Sequence, residues 1–121
     1  MKELYFQHPQ HQERYNELLR CDYTHLDDAE RKALFYLISG NDDLYVKRNK
    51  IYDFRNHQIR LCLTQENVTF SSGSKALIRL GFNLYNGYKD EATTPADLFN
   101  HLDHDNRSLA FTALATRYLT G

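Results

Sequence analysis

Two histidine pairs at i, i+3 spacing, His8 with His11 and His101 with His104, are the first residues to weigh as metal ligands. The second pair is interleaved with Asp103 and Asp105, and imidazole with carboxylate suits zinc and other first-row metals. Yet His8 precedes Pro9, where helical backbone is disfavoured, and residues 101–105 read as a polar junction between two helices. No HExxH motif adds a general base. Paired acids come next. Asp27/Asp28 and Asp42/Asp43 both stand at helix starts, where capping and the helix dipole account for them. The chain has no GxSxG, Walker A or GxGxxG, and its serines gather at 71–74 with no histidine nearby in sequence. No catalytic residue, bound metal or cofactor is therefore expected, and the chain reads as non-enzymatic.

Charge offers a different chemistry. The formal net charge is -1, but residues 44–80 carry seven Lys/Arg against two Asp/Glu, between two acidic flanks. Lys47, Arg48 and Lys50 form a basic run that Arg55, Arg60 and Arg79 can extend, with Tyr45 and Tyr52 interleaved. Cations at this spacing can meet phosphates, and tyrosines can stack on unpaired bases. An acidic protein partner fits the same residues. The isoelectric point near 6.6 lies well below that of dedicated nucleic-acid binders, so nucleic acid is the alternative reading rather than the leading one.

The elements that would carry these residues are helical. Pro9 to about Arg20 presents Tyr15, Leu18 and Leu19 on one face. In LDDAERKALFYLISG, Asp27 and Glu30 form a capping box and Gly40 stops the helix. Ala33 to Ile38 is apolar on nearly every face, so this helix should be central. Asn41 caps a helix over about Asp42 to Phe54. Residues 55–70 read as an extended segment over the helices, because no second strand is evident to pair with Ile59, Leu61 and Leu63. SSGS at 71–74 starts the next helix, Thr94-Pro95 starts a short one reaching about His101, and Asp105 caps a final helix that should be buried along much of its length.

LGFNLYNGY, residues 80–88, places two asparagines in an apolar run. At 100° per residue, Leu77, Ile78, Leu80, Gly81, Phe82, Leu84 and Tyr85 span about 200°, while Lys75, Arg79, Asn83 and Asn86 fall within about 80° of one another. The asparagines thus continue a polar stripe. That stripe is a solvated face, a recognition surface, or a latch to a neighbouring element. Asp53 is a candidate partner for Arg79 or Asn83 if their helices pack. Asn86-Gly87 is a natural helix exit.

With 121 residues, 41% of them hydrophobic and only two prolines, the chain suits one domain over 1–121 with a core that needs no metal or disulfide. Cys21 and Cys62 form no CxxC pair and read as free, partly buried thiols. No leader-like apolar segment and no run of roughly 18 apolar residues is present, so a cytoplasmic protein without a membrane span is expected. The fold class is all-α: a compact bundle of five to six helices with an extended or irregular segment near 55–70.

Several short stretches together resemble a family of short proteins of unknown function from Firmicutes and their phages. They are His11-x-x-Arg14-Tyr15 with Leu18-Leu19, Ile51-Tyr52-Asp53-Phe54 with Ile59, and above all Arg79-Leu80-Gly81-Phe82-Asn83-Leu84-Tyr85-Asn86-Gly87. Thr94-Pro95 with Leu98-Phe99, and Arg117-Tyr118, extend the likeness over most of the chain. A family tryptophan before the Asn-bearing helix is missing, and Phe70 stands near its place. The resemblance implies a bacterial or phage source and brings no activity. The nine tyrosines suit half-buried and interfacial positions. A protein-interaction module, with a homodimer as one form, is thus the leading expectation.

Overall fold

The computed structural model describes residues 4–64 and 68–119. Helix α1 (Pro9–Asp22) begins where the His8 Nδ1 accepts the His11 N–H at 3.1 Å, with proline in the first turn. It ends at Tyr23, in the left-handed conformation at φ 54°. Helix α2 (Ala29–Gly40) is capped one residue later than the sequence suggests: Asp28, not Asp27, accepts the Arg31 N–H at 2.9 Å.

The helix expected over residues 42–54 is divided. Asn41 caps α3 (Asp42–Val46) as anticipated, but Lys47 leaves helical geometry at φ -99°, ψ 21°, before the short α4 (Arg48–Ile51). The chain then extends into β1 (Tyr52–Asp53), which pairs antiparallel with β2 (Gln58–Ile59), Tyr52 opposite Ile59. The partner strand for Ile59 was thus hidden inside a segment with helical periodicity. The physical reason is burial: the extended turn seats Ile51 and Tyr52 fully inside the core. A 3-10 turn, Cys62–Thr64, follows; residues 65–67 of the expected extended segment lie outside the described residues.

Helix α5 (Ser72–Asn86) is capped by Ser71 and exits through Gly87 at φ 82°, as its Asn-Gly dipeptide indicates. Helix α6 (Pro95–Phe99) has the anticipated Thr94 cap. In α7 (His104–Tyr118) the cap is Asp103 rather than Asp105. The described residues therefore form seven α-helices and one two-strand pair, a mostly helical fold as the pattern implied.

Helix α2 is central. Every residue from Ala33 to Ser39 is buried, and α1, α5 and α7 pack around it. Each fully buried large side chain, such as Phe35, Leu37 or Ile38, contributes roughly 1.5–3 kcal/mol of transfer free energy. Two glycines let the helices close up. A Cβ on Gly40 would press into Leu109 and His11, and one on Gly81 would lie 2.8 Å from Leu34.

Candidate functional site

The six cations of the basic segment do not form one bare patch. Lys47 pairs with Asp43 at 2.7 Å, bonds the Thr69 carbonyl and covers the Phe70 ring. Arg48 donates to the Tyr45 carbonyl and lies over the Tyr45 ring. Arg60 lies 3.6 Å from Asp53, and Arg79 bonds Asp90 at 3.0 Å. Lys50 and Arg55 are exposed.

Asp53 meets neither Arg79 nor Asn83. It sits in the β1–β2 turn and accepts the Arg55 and Asn56 backbone N–H groups at 3.0 and 3.1 Å. These bonds, with the Asn56 amide, hold its carboxyl below the usual range. The polar stripe of α5 instead holds the loop that follows it. Asn83 donates to the Tyr88 carbonyl at 2.8 Å and Asn86 accepts the Tyr88 N–H at 3.0 Å. Arg79 reaches Asp90 in the same loop. Burial raises the Asp90 carboxyl, but bonds from Tyr88, the Ala92 N–H, Arg79 and Thr93 outweigh it and hold it at about 2.

The histidine pairs separate as well. His8 is the α1 cap and His11 is fully buried beneath it. His101 and His104 are exposed. Among the described residues no three His, Cys, Asp or Glu come together as metal ligands. Cys62 is buried, which raises its thiol to about 11, and Cys21 is exposed.

What the tertiary structure does assemble is a cluster around Asp22, which the sequence reading passed over. Its carboxylate is 2% exposed and surrounded by donors. Tyr52 donates at 2.9 Å, His57 Nδ1 at 2.6 Å and Thr24 at 3.0 Å, and Arg31 Nε lies 3.3 Å away. Arg31 also donates to the Tyr52 hydroxyl at 2.9 Å, to Asp28 at 2.8 Å and to the His57 carbonyl at 3.0 Å. Burial works against the Arg31 charge, but the bonds to Tyr52 and Asp28 outweigh it and hold its pKa above the ordinary value. Burial also pushes the Tyr52 hydroxyl well up; Asp22 adds to this and Arg31 opposes it. The network ties the end of α1, the start of α2 and the hairpin turn together, as a buried carboxylate requires.

Over this network lies a cleft of about 270 Å³ lined by Asp22, Tyr23, Thr24, Asp28, Arg31 and His57. Tyr23 and His57 (φ 59°) are the two non-glycine residues with positive φ among the described residues, and both line it. Backbone in this region costs a residue with a Cβ of order 1 kcal/mol and concentrates at functional sites. A signal was present in the sequence. An acid in the last turn of α1 opposes the helix dipole, so Asp22 needed partners from elsewhere.

A second feature is the outer face of α7. Leu109, Ala110, Ala113 and Thr116 face inward. On the opposite side Phe111 is 61% and Tyr118 63% exposed, with Leu119 beyond them and Phe99 of α6 against Phe111 at 5.1 Å. The last helix is therefore half-buried rather than enclosed: its inner face meets the core, while Phe111 and Tyr118 stay exposed beside the polar His104, Asp105 and Arg107.

Comparison with known proteins adds one result: a model of a family of unknown function, DUF6075, matches residues 1–120. The chain belongs to that family. No curated protein and no solved structure matches it. Family membership assigns no activity. Among the described residues no helix is long and apolar enough to cross a membrane.

Proposed function

We propose that the chain is a non-enzymatic interaction module from a bacterial or phage accessory gene, and that it self-associates through the outer face of α7. The observation that carries this is the pair of aromatics, Phe111 and Tyr118, left exposed on the outer side of α7. Exposed large aromatics grouped on one face mark a surface for a partner.

The spacing supports a helical partner. His104, Arg107, Phe111, Leu114 and Tyr118 alternate in steps of three and four, the seam of a helix pair, and His104 and Tyr118 each stand seven residues from Phe111. A second copy laid antiparallel across Phe111 brings Tyr118 toward the other copy's His104 end. The two helix dipoles then oppose, each acidic first turn lying toward the other copy's C-terminal turn. Buried aromatics contribute roughly 150–250 Å² each. With Leu119, a symmetric pair approaches the order of 1,000 Å² that a specific interface needs. Two further points favour binding over catalysis or nucleic acid. His57, the histidine fixed by a buried carboxylate, has no hydroxyl or thiol on its second nitrogen among the described residues. Of the six basic residues, Lys47, Arg60 and Arg79 are already paired with carboxylates.

Sedimentation velocity across a concentration series tests this. The wild type is expected to form a reversible dimer, and Phe111→Glu a monomer with unchanged far-UV circular dichroism. A wild type that stays monomeric at roughly 100 µM, where a Kd of tens of micromolar populates dimer, overturns the self-association.

A further inference from the structure

We infer that the cleft over Asp22 is a receptor for a primary ammonium group. The site is separate from the α7 face and rests on different residues.

Charge sets the sign of the ligand. Asp22 and Asp28 both pair with the single guanidinium of Arg31, at 3.3 and 2.8 Å. The two carboxylates lining the cleft thus outnumber its one guanidinium. An anion finds little here: the Tyr23, Thr24, Asp27 and Asp28 backbone N–H groups of the α1–α2 loop are already bonded within the chain. The loop is no anion nest.

Hydrogen-bonding capacity points the same way. An ammonium has three donors and no acceptor. Asp22 is saturated by its own network and serves as scaffold. Asp28 has both oxygens engaged once by Arg31, through its N–H and its Nη1, and each retains a free lone pair. In the tautomer that donates Nδ1–H to Asp22, His57 presents Nε2 as an acceptor. Thr24 donates to Asp22 and keeps its own lone pairs. Asp28, His57 and Thr24 thus offer three acceptor groups in one cleft. Tyr23, 89% exposed at its edge, supplies an aromatic face on which a cation can rest. A cleft of about 270 Å³ accommodates a short alkyl stem as well as the charged head. Both left-handed residues are then explained by function. Tyr23 is turned to the rim, and His57 is turned so that one nitrogen meets Asp22 while the other stays open.

The source of the amine is left to experiment: a small alkylamine or a lysine side chain of another protein. The probe is n-butylammonium, titrated into the full chain at neutral pH and followed by two-dimensional NMR. Acetate and n-butanol serve as charge and shape controls, and Nα-acetyl-lysine N-methylamide represents a lysine side chain. Saturable shifts at Thr24, Arg31 and His57 are expected, with millimolar Kd. Asp28→Asn, which keeps the helix cap but removes the charge, should weaken binding at least tenfold while the far-UV circular dichroism and the dispersed amide spectrum show the fold retained. Tighter binding of the lysine derivative than of butylammonium assigns the site to a lysine side chain; equal binding assigns it to free amines. Unsaturable shifts, equal shifts with acetate or butanol, or full binding in Asp28→Asn overturn the inference.

Discussion

His11 should make the protein sensitive to mild acid. Its ring is fully buried against Phe6 at 5.0 Å and Tyr36 at 4.6 Å between ring centres. Nε2 lies 3.1 Å from the Tyr36 carbonyl, so it donates there, and Nδ1 accepts the Gln7 N–H at 3.3 Å. Both nitrogens are thus committed in the neutral form, and a second proton on Nδ1 would face a donor. Burial is the main cause that lowers its pKa from 6.5 to about 4. The Tyr36 bond opposes this, while His8 and Arg14 add to it. The folded state therefore binds fewer protons than the unfolded chain between these values. Stability is whole above pH 6.5 and falls as pH drops toward 4, by about 3 kcal/mol at about 1.4 kcal/mol per pH unit. Urea denaturation of the wild type and His11→Gln, followed by circular dichroism from pH 7.5 to 4.5, measures it. Gln keeps an amide donor and acceptor but does not titrate. The variant should be less stable at pH 7 by roughly 1–2 kcal/mol, yet lose much less stability on acidification. An acid slope in His11→Gln equal to that of wild type would refute the assignment, as would an imidazole NMR titration of His11 near 6.5.

Two further outcomes follow from packing. Tyr15 is buried, its hydroxyl pushed up to about 12 by burial and by Tyr36, and that oxygen has no partner among the described residues. An unpartnered polar atom costs about 1–3 kcal/mol, so Tyr15→Phe should leave stability equal or raise it by about 1 kcal/mol; a loss above that in urea titration contradicts the geometry. Gly40→Ala presses a methyl into both Leu109 and His11 and should cost about 1–3 kcal/mol. Thermal melting is the check, and an unchanged midpoint would show that α1 and α7 can move away from α2.

The helices were legible because their signals are local. Apolar periodicity marked Ala33–Ile38 as central, and the caps at Asn41, Ser71 and Thr94 and the exit at Gly87 depend on residues only a few positions apart. The same locality explains the errors. Residues 42–54 carry helical periodicity, but pairing Tyr52 with Ile59 and burying Ile51 are gains that a helical pattern cannot register. Asp27 and Asp105 were plausible caps, displaced by neighbours that face the free N–H groups.

The chemistry divides along the same line. Sequence alone determined that no familiar catalytic motif is present, that Arg79, Asn83 and Asn86 share one face of a helix, and that cations gather in the middle third. Only the tertiary structure decided what those residues do: the stripe holds the 87–93 loop, and half the cations are neutralised by carboxylates. It also brought Arg31, Tyr52 and His57, from three separate parts of the chain, to the one carboxylate of Asp22. The reason is that helix formation is driven by neighbours along the chain. A buried charge instead takes its partners from wherever the fold supplies donors, and their separation in sequence carries no period to read.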